Sequence, residues 1–124
     1  MLIDHIGFSV MDYQRSKRFY TRCLAPLKLE LIIEIEGWAG FGRGEKAELW
    51  FGEDSRPQRP MHIAFVAEDR ASVDRFYQAG IDAGAGDNGA PGLRPAYHQH
   101  YYGAFLIDPD GHNIEAVCHL PESV

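Results

Sequence analysis

Along the start of the chain, large apolar and small or polar residues alternate. Ile6, Phe8 and Val10 fall on one side, and His5, Gly7 and Ser9 on the other. A period of two predicts a strand with two different faces. The interval then lengthens: Phe19, Tyr20, Cys23, Leu24 and Leu27 recur at helical spacing and predict a helix that covers the apolar face of a sheet. Asp12 stands where a short carboxylate caps the first helical turn, and Pro26 limits the helix. Strands are predicted over Leu29–Glu36, Trp38–Gly42 and Ala47–Glu53, with turns at Gly37 and over Arg43–Lys46. The pattern is one βαβββ unit.

The chain then repeats itself. Residues 5–20 read HIGFSVMDYQRSKRFY and residues 62–77 read HIAFVAEDRASVDRFY, seven identities in sixteen positions at a constant offset of 57. A self-match of that quality without a gap indicates two copies of one structural unit. The second copy opens with Ile63 and Phe65 on one face and His62 and Ala64 on the other. Asp69 caps a helix carrying Val73, Phe76, Tyr77 and Ile81, and strands follow over Tyr102–Ile107 and Asn113–Cys118. Asp108-Pro109-Asp110-Gly111 supplies the reversal between them. From Gly84 to Tyr101 the sequence predicts a long loop rich in Gly, Pro, Tyr and His, a length usually tied to function or motion. The expected organisation is a single α+β domain over residues 1–124, with module 1 over about 1–56 and module 2 over about 60–120.

Both histidines that open the copies face away from the large apolar residues, and two acids match them. Glu48 lies in Ala47-Glu48-Leu49 and Glu115 in Ile114-Glu115-Ala116, each alternating with apolar neighbours in the last strand of its copy. Carboxylates brought together on one concave face are costly unless something neutralises them. A divalent ion held by His5, Glu48, His62 and Glu115 does so, and two imidazoles with two carboxylates suit Zn, Ni, Co, Mn or Fe(II). Four protein ligands leave an octahedral ion two positions for a bidentate substrate.

Composition narrows the rest. With 45% hydrophobic and 24% charged residues, the chain sits in the globular range rather than the disordered one. Twelve Lys and Arg against eighteen Asp and Glu give a net charge of −6, and no basic stripe offsets it, so nucleic acid is excluded as a partner. The apolar runs are too short to span a bilayer. Met1-Leu2-Ile3-Asp4 leads straight into a strand, leaving no room for a signal peptide, so a cytoplasmic location is expected. Cys23 and Cys118 read as small buried hydrophobes, without a disulfide.

The paired modules, opened by HIGFSV and HIAFV and closed by DPDGHNIEAV, resemble the vicinal oxygen chelate superfamily, which includes glyoxalase I, extradiol dioxygenases and bleomycin-binding proteins. The resemblance runs over essentially the whole chain, and DPDGHNIE is its most specific stretch. It implies two βαβββ modules forming a curved mixed-sheet cleft, a glyoxalase-like half-barrel, and a homodimer acting on a small-molecule substrate. By position His5, Glu48, His62 and Glu115 match the four-ligand set of glyoxalase I and methylmalonyl-CoA epimerase. That implies a metal-dependent lyase or isomerase that abstracts a proton next to a carbonyl, with Glu115 or Glu48 as the base. Two other functions resemble the same frame: an extradiol-type dioxygenase using His5, His62 and Glu115 alone, and a non-enzymatic protein that binds a drug or toxin. The stretch after the first helix, LAPLKLEL, and the loop carrying Arg94 depart from glyoxalase I, whose glutathione contacts are not matched one by one here.

Other residues have ordinary readings beside functional ones. Arg94, Tyr97, His98, His100 and Tyr102 read either as an exposed polar loop or as a lid contacting substrate, with Arg94 pairing an anionic group. Trp38 reads as packing. Trp50 shares the parity of Glu48 and is a candidate for the cleft wall. His112 reads as a solvated turn residue and His119 as a surface residue.

Overall fold

A computed structural model describes residues 3–56 and 59–122. Met1 and Leu2, read above as the lead into the first strand, lie outside them. In chain order the elements are β1 (Ile6–Val10), α1 (Tyr13–Leu24), β2 (Glu30–Ile35), β3 (Trp38–Arg43) and β4 (Lys46–Glu53), then β5 (His62–Val66), α2 (Arg70–Asp82), β6 (Gly86–Leu93), β7 (Tyr102–Ile107) and β8 (Asn113–Cys118). The helices begin where the carboxylates predict: Asp12 accepts from Arg15 N at 3.0 Å and Asp69 from Ser72 N at 2.7 Å. Hydrogen bonds from the Ser72 side chain and backbone hold the Asp69 carboxyl below its ordinary range. Pro26 sits in a short 3-10 turn, Ala25–Leu27, that follows α1.

Each copy forms its own four-stranded mixed sheet, ordered β1-β4-β3-β2 and β5-β8-β7-β6. In both, the first strand of the module runs parallel to the last, and the remaining pairs are antiparallel. The sheets do not close into a barrel. Between β2 and β3 the turn residues Glu36 and Gly37 both take positive φ, 50° and 85°, which suits a two-residue hairpin matched to sheet twist.

Each sheet is covered on one face by helix. Phe8, Val10, Phe41 and Phe51 from the first sheet and Ile63, Ala104, Leu106 and Ile114 from the second join Phe19, Tyr20, Leu24, Val73 and Phe76 of the helices in one core. Burial of that apolar area is the main stabilising term. Cys23 and Cys118 are buried and free, and burial pushes the Cys23 thiol well up. The opposite faces of both sheets are open. Among the described residues no helix is long and apolar enough to cross a membrane.

Two expectations change. The segment after Gly84 is not one long loop: its first half is β6, paired antiparallel to β7 with two register shifts. Gly-Asp-Asn-Gly-Ala-Pro-Gly-Leu has no alternation to reveal a strand, but backbone pairing needs none, and Pro91 is tolerated because β6 is an edge. His112 is not solvated; it is 1% exposed. Its Nδ1 accepts from Met61 N at 2.9 Å and its ring packs edge-on against Phe8. The turn around it joins the modules: Tyr20 donates to Asp108 at 2.5 Å, and Ser16 and Met11 N donate to Asp110 at 3.2 and 2.9 Å. DPDGH is therefore an internal clamp.

Candidate functional site

On the second module's open face, β5 presents His62 and β8 presents Glu115. His62 Nε2 lies 3.0 Å from Glu115 Oε1. The imidazole is half exposed, whereas the carboxylate is 2% exposed, although it faces away from the core. Tyr101 accounts for that burial. Its hydroxyl donates to Glu115 Oε2 in a short contact, and its ring packs edge-on against Tyr97 and His119. Burial first, and Glu115 next, push the Tyr101 phenol well above its ordinary range, so it stays a donor. β7 makes space for the pair at Gly103, where a Cβ would come 3.1 Å from Tyr101 and 3.3 Å from Glu115 Oε2. Phe105, opposite Glu115 on β7, stacks beside His62 with ring centres 6.4 Å apart. The acid is thus held by two donors on an aromatic floor.

The first module's open face is built differently. Trp38 and Trp50 lie flat over glycines: a Cβ on Gly52 would meet the Trp38 ring at 2.8 Å, and one on Gly40 the Trp50 ring at 2.9 Å. With His5, Gly7, Ile35 and Glu36 they line a cavity of about 360 Å³. His5 Nδ1 is 2.8 Å from Asp4 Oδ1, and Asp4 also pairs with Lys46 at 2.9 Å. Those partners, His5 first, lower the Asp4 carboxyl. Glu48 is exposed and borders a different cavity, of about 280 Å³, whose far wall is Ile63, Ala64 and Phe65.

The four sequence-derived ligands therefore divide two and two. His62 and Glu115 meet; His5 and Glu48 are on the other sheet, and among the described residues no three His, Cys, Asp or Glu side chains gather to hold an ion. Strand register adds a difference. Gly7 pairs with Trp50 and Ala64 with Glu115. Gly7 and Ala64 are repeat equivalents, so the residue at the Glu115 station of module 1 is Trp50, and Glu48 corresponds to Asn113. The equivalence drawn above between Glu48 and Glu115 does not follow the strands, because residue counting cannot fix register across loops of unequal length.

The loop candidates also separate. Arg94 lies over Phe105 on the open face of the second sheet. Tyr97 is exposed, and His98 packs against His119. His100 takes a positive φ of 66° that turns the chain into Tyr101. Tyr102 points to the other side of β7, donating to Asp74 at 2.6 Å beneath Arg70. Burial and Asp74 push its phenol up to about 12. The residue on the acid is Tyr101, one position earlier, which sequence parity alone marks as open-face.

The profile of the Glyoxalase/Bleomycin resistance protein/Dioxygenase superfamily matches residues 2–116, and the chain belongs to that superfamily. No curated protein matches the chain. Among solved structures, a glyoxalase/bleomycin resistance protein from Albidiferax ferrireducens T118 superposes with a TM-score of 0.80 at 26% identity, covering 98% of this chain and all of that one. A glyoxalase/bleomycin resistance protein/dioxygenase family enzyme from Burkholderia phytofirmans PsJN gives 0.71 at 19%, covering 95% and 98%. A glyoxalase-related enzyme from Fulvimarina pelagi gives 0.73 at 17%, covering 95% and 88%. The last two are alike in fold.

Proposed function

We propose that the protein is a metal-dependent lyase or isomerase acting on a small oxygen-chelating substrate, with His5, His62 and Glu115 holding one divalent ion. The observation that carries this is the His62–Glu115 pair. Two donor atoms bound to one ion at about 2.1 Å and at right angles lie about 3 Å apart, and these are separated by 3.0 Å. Tyr101 occupies the second carboxylate oxygen, as an outer partner of a metal ligand does. His5 comes from the first module of a second copy, which makes the working unit a homodimer. Exposed Ile35 and Trp38, which line one cavity with His5, give that open face an apolar surface for the partner to cover.

A divalent ion held by His5, His62 and Glu115 would supply Lewis-acid chemistry, polarising a substrate carbonyl so that the neighbouring C–H becomes more acidic. Glu115 is buried and its second oxygen is held by the Tyr101 hydroxyl, so it is poorly placed to swing as a base. Glu48, by register level with His5, is exposed and makes no hydrogen bond or ion pair among the described residues. It is the carboxylate free to take the proton.

A second reading rests on Trp50. With tryptophan at the fourth station, the set is two histidines and one carboxylate, which also suits an Fe(II) dioxygenase. Glu48→Gln separates the possibilities. Under the leading reading it keeps its metal by elemental analysis and loses turnover of hemithioacetal or epimerase substrates. Metal loss instead restores the four-ligand set. Retained metal with unchanged, oxygen-consuming catechol turnover establishes the dioxygenase. A wild-type protein that takes up no metal after reconstitution and still binds an aromatic ligand defeats both enzyme readings. Subunit sharing is checked by mixing inactive His5→Ala and His62→Ala proteins: exchanged dimers regain activity only if each site draws on both copies.

A further inference from the structure

The Arg94 guanidinium lies on the open face of the second sheet. It lies 5.5 Å from the centre of the Phe105 ring, whose other neighbour is His62. Nη2 donates to Ala90 O at 2.9 Å. The strand around it is cleared of side chains: a Cβ on Gly92 would come 3.1 Å from Nη1, and one on Gly89 3.2 Å from Nη2. A guanidinium carries five N–H donors, and one hydrogen bond leaves most of them free. Among the described residues no carboxylate lies within 4.0 Å of it.

We infer that Arg94 anchors the anionic end of the substrate, which is a small oxyacid ending in a carboxylate or a phosphate. The planar fork binds two oxygens of either group at once. The cation–π contact with Phe105 and the hydrogen bond to Ala90 O restrict the fork before the ligand arrives, which lowers the side-chain entropy lost on binding. The other end of the substrate carries the hydroxyl or carbonyl that approaches His62 and Glu115; that half rests on the site proposed above.

The test uses metal-free protein, so it reads Arg94 without needing the ion, while metal uptake by the wild type is measured separately. Wild type, Arg94→Gln and Gly92→Ala are titrated with glycolate, 2-phosphoglycolate and the neutral glycolamide, followed by calorimetry and by the guanidinium signals in NMR. At least one anion binds wild type and shifts the Arg94 resonances, and glycolamide does not. Arg94→Gln weakens that anion about tenfold or more, the loss of one charge-assisted pair. Gly92→Ala, which keeps the charge and displaces the fork, weakens it as well. Binding of glycolate shows that a carboxylate suffices as the end group, and binding of 2-phosphoglycolate without glycolate shows that the phosphate is needed. Equal binding of glycolamide, anion binding unchanged in Arg94→Gln, or no anion binding to folded wild type overturns the inference.

Discussion

The two open faces descend from one repeated unit and have opposite characters. On the first sheet, glycines at 40 and 52 let two indoles lie flat, and the surface is a smooth aromatic wall with His5 at its rim. On the second, Glu115 takes the station that Trp50 occupies on the first, and a buried carboxylate is held by an imidazole and a phenol. The core-facing positions diverged far less: Ile6 and Phe8 recur as Ile63 and Phe65, and Phe19 and Tyr20 as Phe76 and Tyr77. Packing constrains the covered face because every buried atom has neighbours to satisfy. The open faces answer only to whatever binds there, so the same frame carries an apolar wall and a polar, acid-bearing floor.

The strongest way to break the contrast is Glu115→Ala. It removes the acid from the second face and leaves the Tyr101 hydroxyl and His62 Nε2 without their partner. Metal affinity should fall by more than roughly a hundredfold, beyond the loss typical of an outer partner, as read by competition with a chromophoric chelator. Unchanged affinity would remove Glu115 from the ligand set.

Tyr101→Phe is the next largest. The ring stays packed on Tyr97 and His119, and only the hydroxyl is lost. Metal affinity should drop by about 10- to 100-fold with far-ultraviolet circular dichroism unchanged. An equal loss of fold and affinity would make Tyr101 a packing residue instead.

Gly52→Ala tests the first face alone. Its methyl would sit 2.8 Å from the Trp38 ring, so the indole must lift off the sheet. The expected cost is about 1 kcal/mol, at the lower end for overpacking because Trp38 is at the surface. Tryptophan emission should shift to the red while anion binding at Arg94 is unaffected.

Tyr102→Phe has the smallest effect, confined to high pH. The Tyr102 phenol is raised from its ordinary value to about 12. A raised pKa contributes stability that is complete below the unfolded value of about 10 and is lost as pH climbs through the folded one. Wild-type melting temperature should therefore fall more steeply than that of the variant between about pH 10 and 12. Parallel curves would mean that the Asp74 contact adds nothing.

Much of the frame was legible from the chain. The offset of 57 marked the two modules, period-two alternation separated covered from open faces, and two aspartates marked both helix starts. Those signals are local, or are repeated in sequence, and local sterics and capping enforce them. The parity of His62 and Glu115 was legible too. Their meeting was not, nor was the mismatch between Glu48 and Glu115, since each depends on the register of strands joined through long connections. β6 was hidden because its glycines make room for Arg94 and Phe105 rather than displaying a pattern of their own. His112 was misread because a turn histidine is buried only when another module closes over it.

The sequence by itself determined which residues turn inward and that the unit occurs twice, because side-chain alternation and helical spacing are properties of neighbouring residues. Tertiary structure alone decided that Trp50 and Glu115 are counterparts, that Tyr101 rather than Tyr102 reaches the acid, and that Arg94 lies over Phe105. Each of those is a contact between segments whose separation along the chain carries no information about their distance in space.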